Sequence, residues 1–141
     1  MLSYEASAEI NASPEKVWEL LVDAQAFTDW DPDVTRIEGP IALGEKVTVY
    51  TKVSPDRSFP VTVAEFVPNQ KMVWASGMPL GLFKGQRTFT LKADGAGKTH
   101  YHVIEQFSGL LLPLIGRTIP DLNEAFQRHA QALRIRAESA S

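Results

Sequence analysis

The chain has no cysteine among its 141 residues, which excludes disulfides, thiolate metal centres and cysteine nucleophiles. It has no run of basic residues either: 14 Lys and Arg stand against 17 Asp and Glu, for a formal net charge of −3. Phosphate backbones select a basic face, so a nucleic acid partner is not expected. No apolar stretch approaches the roughly 18 residues that span a bilayer, and no signal-peptide core is present. A cytoplasmic protein with no transmembrane segment is the expectation. The sequence also lacks a Gly-x-Ser-x-Gly elbow, a phosphate-cradling glycine loop and a dinucleotide fingerprint, so no cofactor is expected.

What is present fills one domain of ordinary size, residues 1–141, without an internal repeat or a low-complexity linker. Leu2, Tyr4, Ala6, Ala8 and Ile10 alternate with Ser3, Glu5, Ser7, Glu9 and Asn11, the period of a strand with one dry face and one wet face. Ser13 then caps a helix with Pro14 at its first position, where a missing N–H costs nothing, and Val17, Leu20, Leu21 and Ala24 recur at helical spacing. Asp23 restarts a second helix, which Asp31-Pro32 ends.

Strand rhythm returns weakly at Val34 to Ile37, and then around Val47 to Val53, Phe59 to Val63, Met72 to Trp74, Phe83 to Leu91 and Tyr101 to Phe107. Turn signals at Ser54-Pro55-Asp56, Pro68-Asn69-Gln70, Gly77-Met78-Pro79 and Asp94 to Gly97 separate these segments. Short loops between consecutive strands predict a seven-stranded antiparallel meander. The last third changes period: Ile115, Ile119, Leu122, Phe126, His129 and Leu133 form one stripe on a helix that Pro120 starts. Running to Glu138, such a helix is about 28 Å long and crosses a small domain. The prediction is an α+β layer arrangement.

This ordered set resembles the START/polyketide-cyclase superfamily (SRPBCC). The likeness is carried by Ser13-Pro14-Glu15-Lys16-Val17-Trp18, Trp30, Glu105-Gln106-Phe107-Ser108-Gly109 and the terminal helix, and it covers essentially the whole chain. The resemblance implies a helix-grip fold: a curved sheet holding a long C-terminal helix across its concave face, with an apolar cavity between them. It does not choose a function, because lipid carriers, hormone sensors, cyclases and chaperone regulators share the scaffold.

Two residues break the alternation. Arg87 falls on the face of Phe83, Gly85, Phe89 and Leu91, and Glu105 on the face of Tyr101, Val103 and Phe107. A three-residue loop at Gly95-Ala96-Gly97 sets the register so that Arg87 lies opposite Glu105, Phe89 opposite Val103 and Leu91 opposite Tyr101. The pair reads as a satisfied ion pair, internal or at a strand end, as polar fixtures that orient a ligand in a pocket, or as a site with Glu105 as general base.

His129 on the apolar stripe reads as a core histidine bonded to a backbone carbonyl or as a donor or base in a cavity. His100 and His102 share a strand face that otherwise reads as solvent, and no third ligand accompanies them, so no metal is expected. Trp30, Trp74, Phe89, Tyr101, Phe107 and Phe126 serve core packing or line a pocket. The run Leu110 to Gly116 is core, a lid, or a surface for transient membrane or partner contact.

Three functions remain open at this point. One is a carrier or sensor enclosing a small hydrophobic molecule in a cavity on the order of 300–1,000 Å³. The second is a cyclase or dehydratase using Glu105, Arg87 or His129, and the third a protein-interaction module.

Overall fold

Ser13 opens the helical segment as expected: its Oγ accepts the Lys16 N–H at 3.3 Å, and Pro14 occupies the first turn of α1 (Pro14–Val22). In the computed structural model, which describes residues 2–52, 55–119 and 121–139, the strand before it is β1 (Leu2–Ile10). Asp23 Oδ1 accepts the N–H groups of Gln25 and Ala26, both at 3.1 Å, and so starts α2 (Ala24–Trp30). These two helices bury Val17, Trp18, Leu21, Phe27 and Trp30.

Six more strands follow: β2 (Val34–Glu38), β3 (Lys46–Thr51), β4 (Ser58–Val67), β5 (Lys71–Gly77), β6 (Lys84–Ala93) and β7 (Thr99–Ser108). They form one curved antiparallel sheet in the order β1-β7-β6-β5-β4-β3-β2. The β6–β7 register is the expected one, with Arg87 opposite Glu105 and Phe89 opposite Val103. Asp94 N–H donates to the Lys98 carbonyl at 3.0 Å, and Gly95 and Gly97 take φ of 78° and 71°, a conformation that glycine adopts without strain.

In β4 the alternation slips at a bulge between Val63 and Glu65. That is why Val63 and Phe66, three positions apart, both reach the interior.

The chain ends in a short α3 (Leu112–Ile115), a 3-10 turn over Gly116–Thr118, and α4 (Asn123–Ser139). The single long stripe predicted from Ile115 therefore needs correction, because the helix proper begins at Asn123. Ile119, which precedes a proline in sequence, is extended at φ −84° and ψ 121°, and Asp121 Oδ1 accepts the Asn123 N–H at 3.0 Å. Val53 and Ser54, expected in the third strand and its turn, and Pro120, expected to start the helix, lie outside the described residues.

α4 lies against β1, β7 and α1 and buries Phe126, His129, Ala130, Leu133 and Ala137. Its last turn is tied to the end of β1, where the Asn11 N–H donates to Glu138 Oε2 at 2.9 Å. The core between the layers is closed by Ile10, Leu21, Phe27, Met72, Phe89 and Leu133, all 1% exposed or less. Among the described residues no helix is long and apolar enough to cross a membrane.

Candidate functional site

The concave face of the sheet carries one continuous polar row. Trp74 on β5 is the direct partner of Arg87 on β6, and Arg87 is the direct partner of Glu105 on β7. Arg87 Nε donates to Glu105 Oε1 at 2.9 Å, with the two side chains 22% and 13% exposed. The pair sits mid-strand rather than at a strand end. α4 supplies the third wall of this arrangement, since the Arg87 guanidinium stands 4.7 Å from the centre of the Phe126 ring, within cation–π range.

A second cluster joins three elements. His129 on α4 donates from Nδ1 to Asp31 Oδ2 at 2.8 Å, and the Tyr101 hydroxyl on β7 lies 2.6 Å from His129 Nε2. Asp31 Oδ1 accepts the Asp33 N–H at 2.9 Å. Burial pushes the Asp31 carboxyl upward, but the His129 bond and charge, the Asp33 N–H and Arg87 hold it below its ordinary 3.8. Burial raises the Tyr101 phenol well above its ordinary 10, so the hydroxyl keeps its proton.

His129 thus has carboxylate and phenol partners, not the backbone carbonyl expected of a core histidine. Just outside, Arg128 clasps Asp33 with Nε to Oδ2 at 2.9 Å and Nη2 to Oδ1 at 3.0 Å. α4 is thereby fastened to the turn after α2 through adjacent residues on both sides.

A cavity of about 260 Å³ lies between the sheet and α4, just under the expected range. Of the residues proposed for a site from sequence, Trp74, Arg87, Glu105, Phe107, Phe126 and His129 border it. Trp30, Phe89 and Tyr101 do not and stand behind its wall. Trp30 spends its indole N–H on the Leu20 carbonyl at 3.1 Å, Phe89 meets the edge of Trp74 at 4.8 Å between ring centres, and Tyr101 is fully buried.

Phe107 reaches the cavity by lying across its partner Gly85, where an added Cβ would stand 3.3 Å from the Phe107 ring. Trp74 Nε1 is buried and has no hydrogen-bond partner among the described residues.

Sequence reasoning missed Asp31, which it took only as a helix terminator, and also Asp33, Ser76 and Ala125 on the cavity wall. Ile115, Ile119 and Leu122 reach the cavity from the turns before α4 rather than from the helix itself. The leucine run is a rim and not core: Leu110 is 80% and Leu114 66% exposed. His100 and His102 meet Glu9 and Glu5 across the outer face of β1 and β7, away from the cavity. Among the described residues no three His, Asp or Glu side chains are placed to hold a metal ion.

A sheet gripping a terminal helix around a partly apolar chamber defines a helix-grip protein. The chain belongs to the polyketide cyclase/dehydrase and lipid transport family, whose model matches residues 1–138.

Solved structures agree on the fold. The chain is 17% identical to a START superfamily protein from Mycobacterium smegmatis, with a TM-score of 0.72 and 99% of each chain covered. It is 16% identical to protein MLL2253 from Mesorhizobium loti, with a TM-score of 0.76 and 99% of each chain covered. With the ZhuI aromatase/cyclase from Streptomyces sp. R1128 it shares 14% identity at a TM-score of 0.72, over 97% of this chain and 93% of that one. No curated protein sequence matches the chain.

Proposed function

We propose that this chain, as a single START-like domain over residues 1–141, encloses a small apolar or amphipathic molecule of lipid, polyketide-like or aromatic type and serves as its carrier or sensor in the cytoplasm. The observation that carries this reading is the cavity itself. Valine, isoleucine, leucine and phenylalanine side chains make up half of its lining residues, and the polar groups among them include the Arg87–Glu105 pair, the Asp31–His129 edge and Arg57. Small-molecule sites have this make-up, an apolar enclosure with a few fixed polar groups. Trp74, Phe107 and Phe126 would hold the apolar body of the ligand, while Trp30, Phe89 and Tyr101 would support them from behind.

Native mass spectrometry of freshly purified protein tests the reading. A bound small molecule released on denaturation is the expected result. Protein without adduct that also shows no saturable binding to a panel of apolar fluorescent probes would overturn it.

A second reading, a cyclase or dehydratase, is favoured by one feature: Glu105 borders the cavity and commits only Oε1 to Arg87. Its other oxygen is then available as a proton acceptor. His129 is a poorer base in this reading, since both ring nitrogens are engaged. Turnover of the recovered ligand, lost in Glu105→Gln, would establish the enzyme over the carrier.

A further inference from the structure

Trp74 carries a donor without an acceptor. Its residue is 3% exposed, Nε1 has no hydrogen-bond partner, and the side chain borders the cavity. A buried donor left unmet bears its full desolvation cost, so such a group needs an explanation. Its cross-strand partner Arg87, with a Cβ about 5 Å away, is also under-used. Arg87 spends Nε on Glu105, and among the described residues neither Nη1 nor Nη2 makes a hydrogen bond.

The nearby acids do not supply the acceptor in this structure: Glu105 meets Arg87 only through Oε1 and Nε and makes no hydrogen bond to Trp74 Nε1. Both Asp31 oxygens are taken by His129 and the Asp33 N–H, and both Asp33 oxygens by Arg128. The guanidinium is held on one edge by Glu105 and on one face by Phe126, so little side-chain freedom is lost when its remaining edge is used.

We propose that Trp74 and Arg87 form a two-donor anchor for a carbonyl oxygen, and that the ligand class is a neutral apolar molecule bearing a ketone or ester. The proposal rests on the cavity-binding reading above. A carbonyl oxygen has two lone pairs and needs no donor in return. Glu105 already balances the charge of Arg87, so a neutral acceptor meets the two donors without adding a charge beside that pair. Arg57, the other cation on the cavity wall, is exposed, and a carboxylate probe tests whether it draws an anion instead.

Three two-ring probes test this by titration calorimetry: 2-acetylnaphthalene, 2-isopropenylnaphthalene, in which CH2 replaces the oxygen, and 2-naphthoate. The ketone should bind about tenfold tighter than the isopropenyl compound, the gain of one well-made hydrogen bond, and tighter than naphthoate. Its carbonyl stretch should move to lower wavenumber on binding, relative to the ketone in hexane. Trp74→Phe should narrow the ketone-to-isopropenyl ratio to within about threefold.

Should that variant not fold, the wild-type infrared shift decides alone. An unshifted stretch, equal affinity for ketone and isopropenyl compound, or naphthoate binding tightest overturns the anchor while leaving the cavity reading in place. No binding of any of the three defeats the cavity reading and this proposal with it.

Discussion

Asp31, His129 and Tyr101 tie a turn, a helix and a strand together, and each of their polar side-chain atoms has a partner. Trp74, Arg87 and Glu105, a row across three adjacent strands, leave Trp74 Nε1 and two Arg87 nitrogens unmet by protein among the described residues. Both clusters touch the same cavity, yet the first is closed on itself and the second is open. Saturated buried networks rigidify the fold, because breaking one strands a group in a low-dielectric interior. Unsaturated ones keep a capacity that only a further molecule can fill. The first cluster therefore reads as a structural bridge and the second as a site.

The largest expected effect falls on the closed cluster. Asp31→Ala removes the partner of a histidine that is 5% exposed and should destabilise by about 3–5 kcal/mol in a denaturant melt. A loss under about 1 kcal/mol would break the comparison. The Asp31 carboxyl lies below its ordinary 3.8, so its ionised form favours the native state above that value, and this contribution is lost as pH falls below it. Asp31→Asn should remove that acid-side loss, which melts between pH 2 and 5 would reveal.

Phe126→Ala comes next. It deletes a buried ring and the face on which Arg87 rests, but an existing void already borders the site, so about 2 kcal/mol is expected rather than the larger cost in solid core. Arg87→Met should cost about 1–2 kcal/mol, since Glu105 keeps some access to solvent, and should weaken binding of the retained ligand more than it weakens the fold. The smallest effect belongs to the outer face: His102→Ala, which breaks an exposed pair with Glu5, should stay within about 0.5 kcal/mol.

Much of the frame was legible because local chemistry determined it. Ser13-Pro14, Asp23 and Asp31-Pro32 marked helix ends that the structure reproduces, and the glycine-flanked loop at Ala96 set a register from which the Arg87–Glu105 pairing followed. The start of α4, placed at Pro120 from the proline, falls at Asn123, where Asp121 accepts its N–H; Ile115, Ile119 and Leu122 happen to continue the helix spacing but reach the cavity from the turns before it. Asp31 was invisible as a site residue, since a turn position carries no period that announces which way its side chain faces.

Trp74 could be assigned to the concave face from alternation. That its N–H finds no acceptor depends on three-dimensional neighbours, which no spacing encodes. The leucines at Leu110 and Leu114 looked like core by composition and lie exposed at the rim, a position that composition cannot distinguish from the interior.

The placement of β1 beside β7 bears on how the chain reaches its native state. β6 and β7 are joined by five residues, 94–98, closed by the Asp94–Lys98 bond, whereas Ile10 must find Thr99 across about ninety residues, a difference in loop-closure entropy of about 2.5 kcal/mol. The β6–β7 hairpin, with Arg87 and Glu105 already opposed, is therefore expected to acquire amide protection early in pulse-labelled refolding. The β1–β7 ladder should follow late, as the step that seals the sheet against the terminal helix and gives the chain the slow folding of a protein rich in distant contacts.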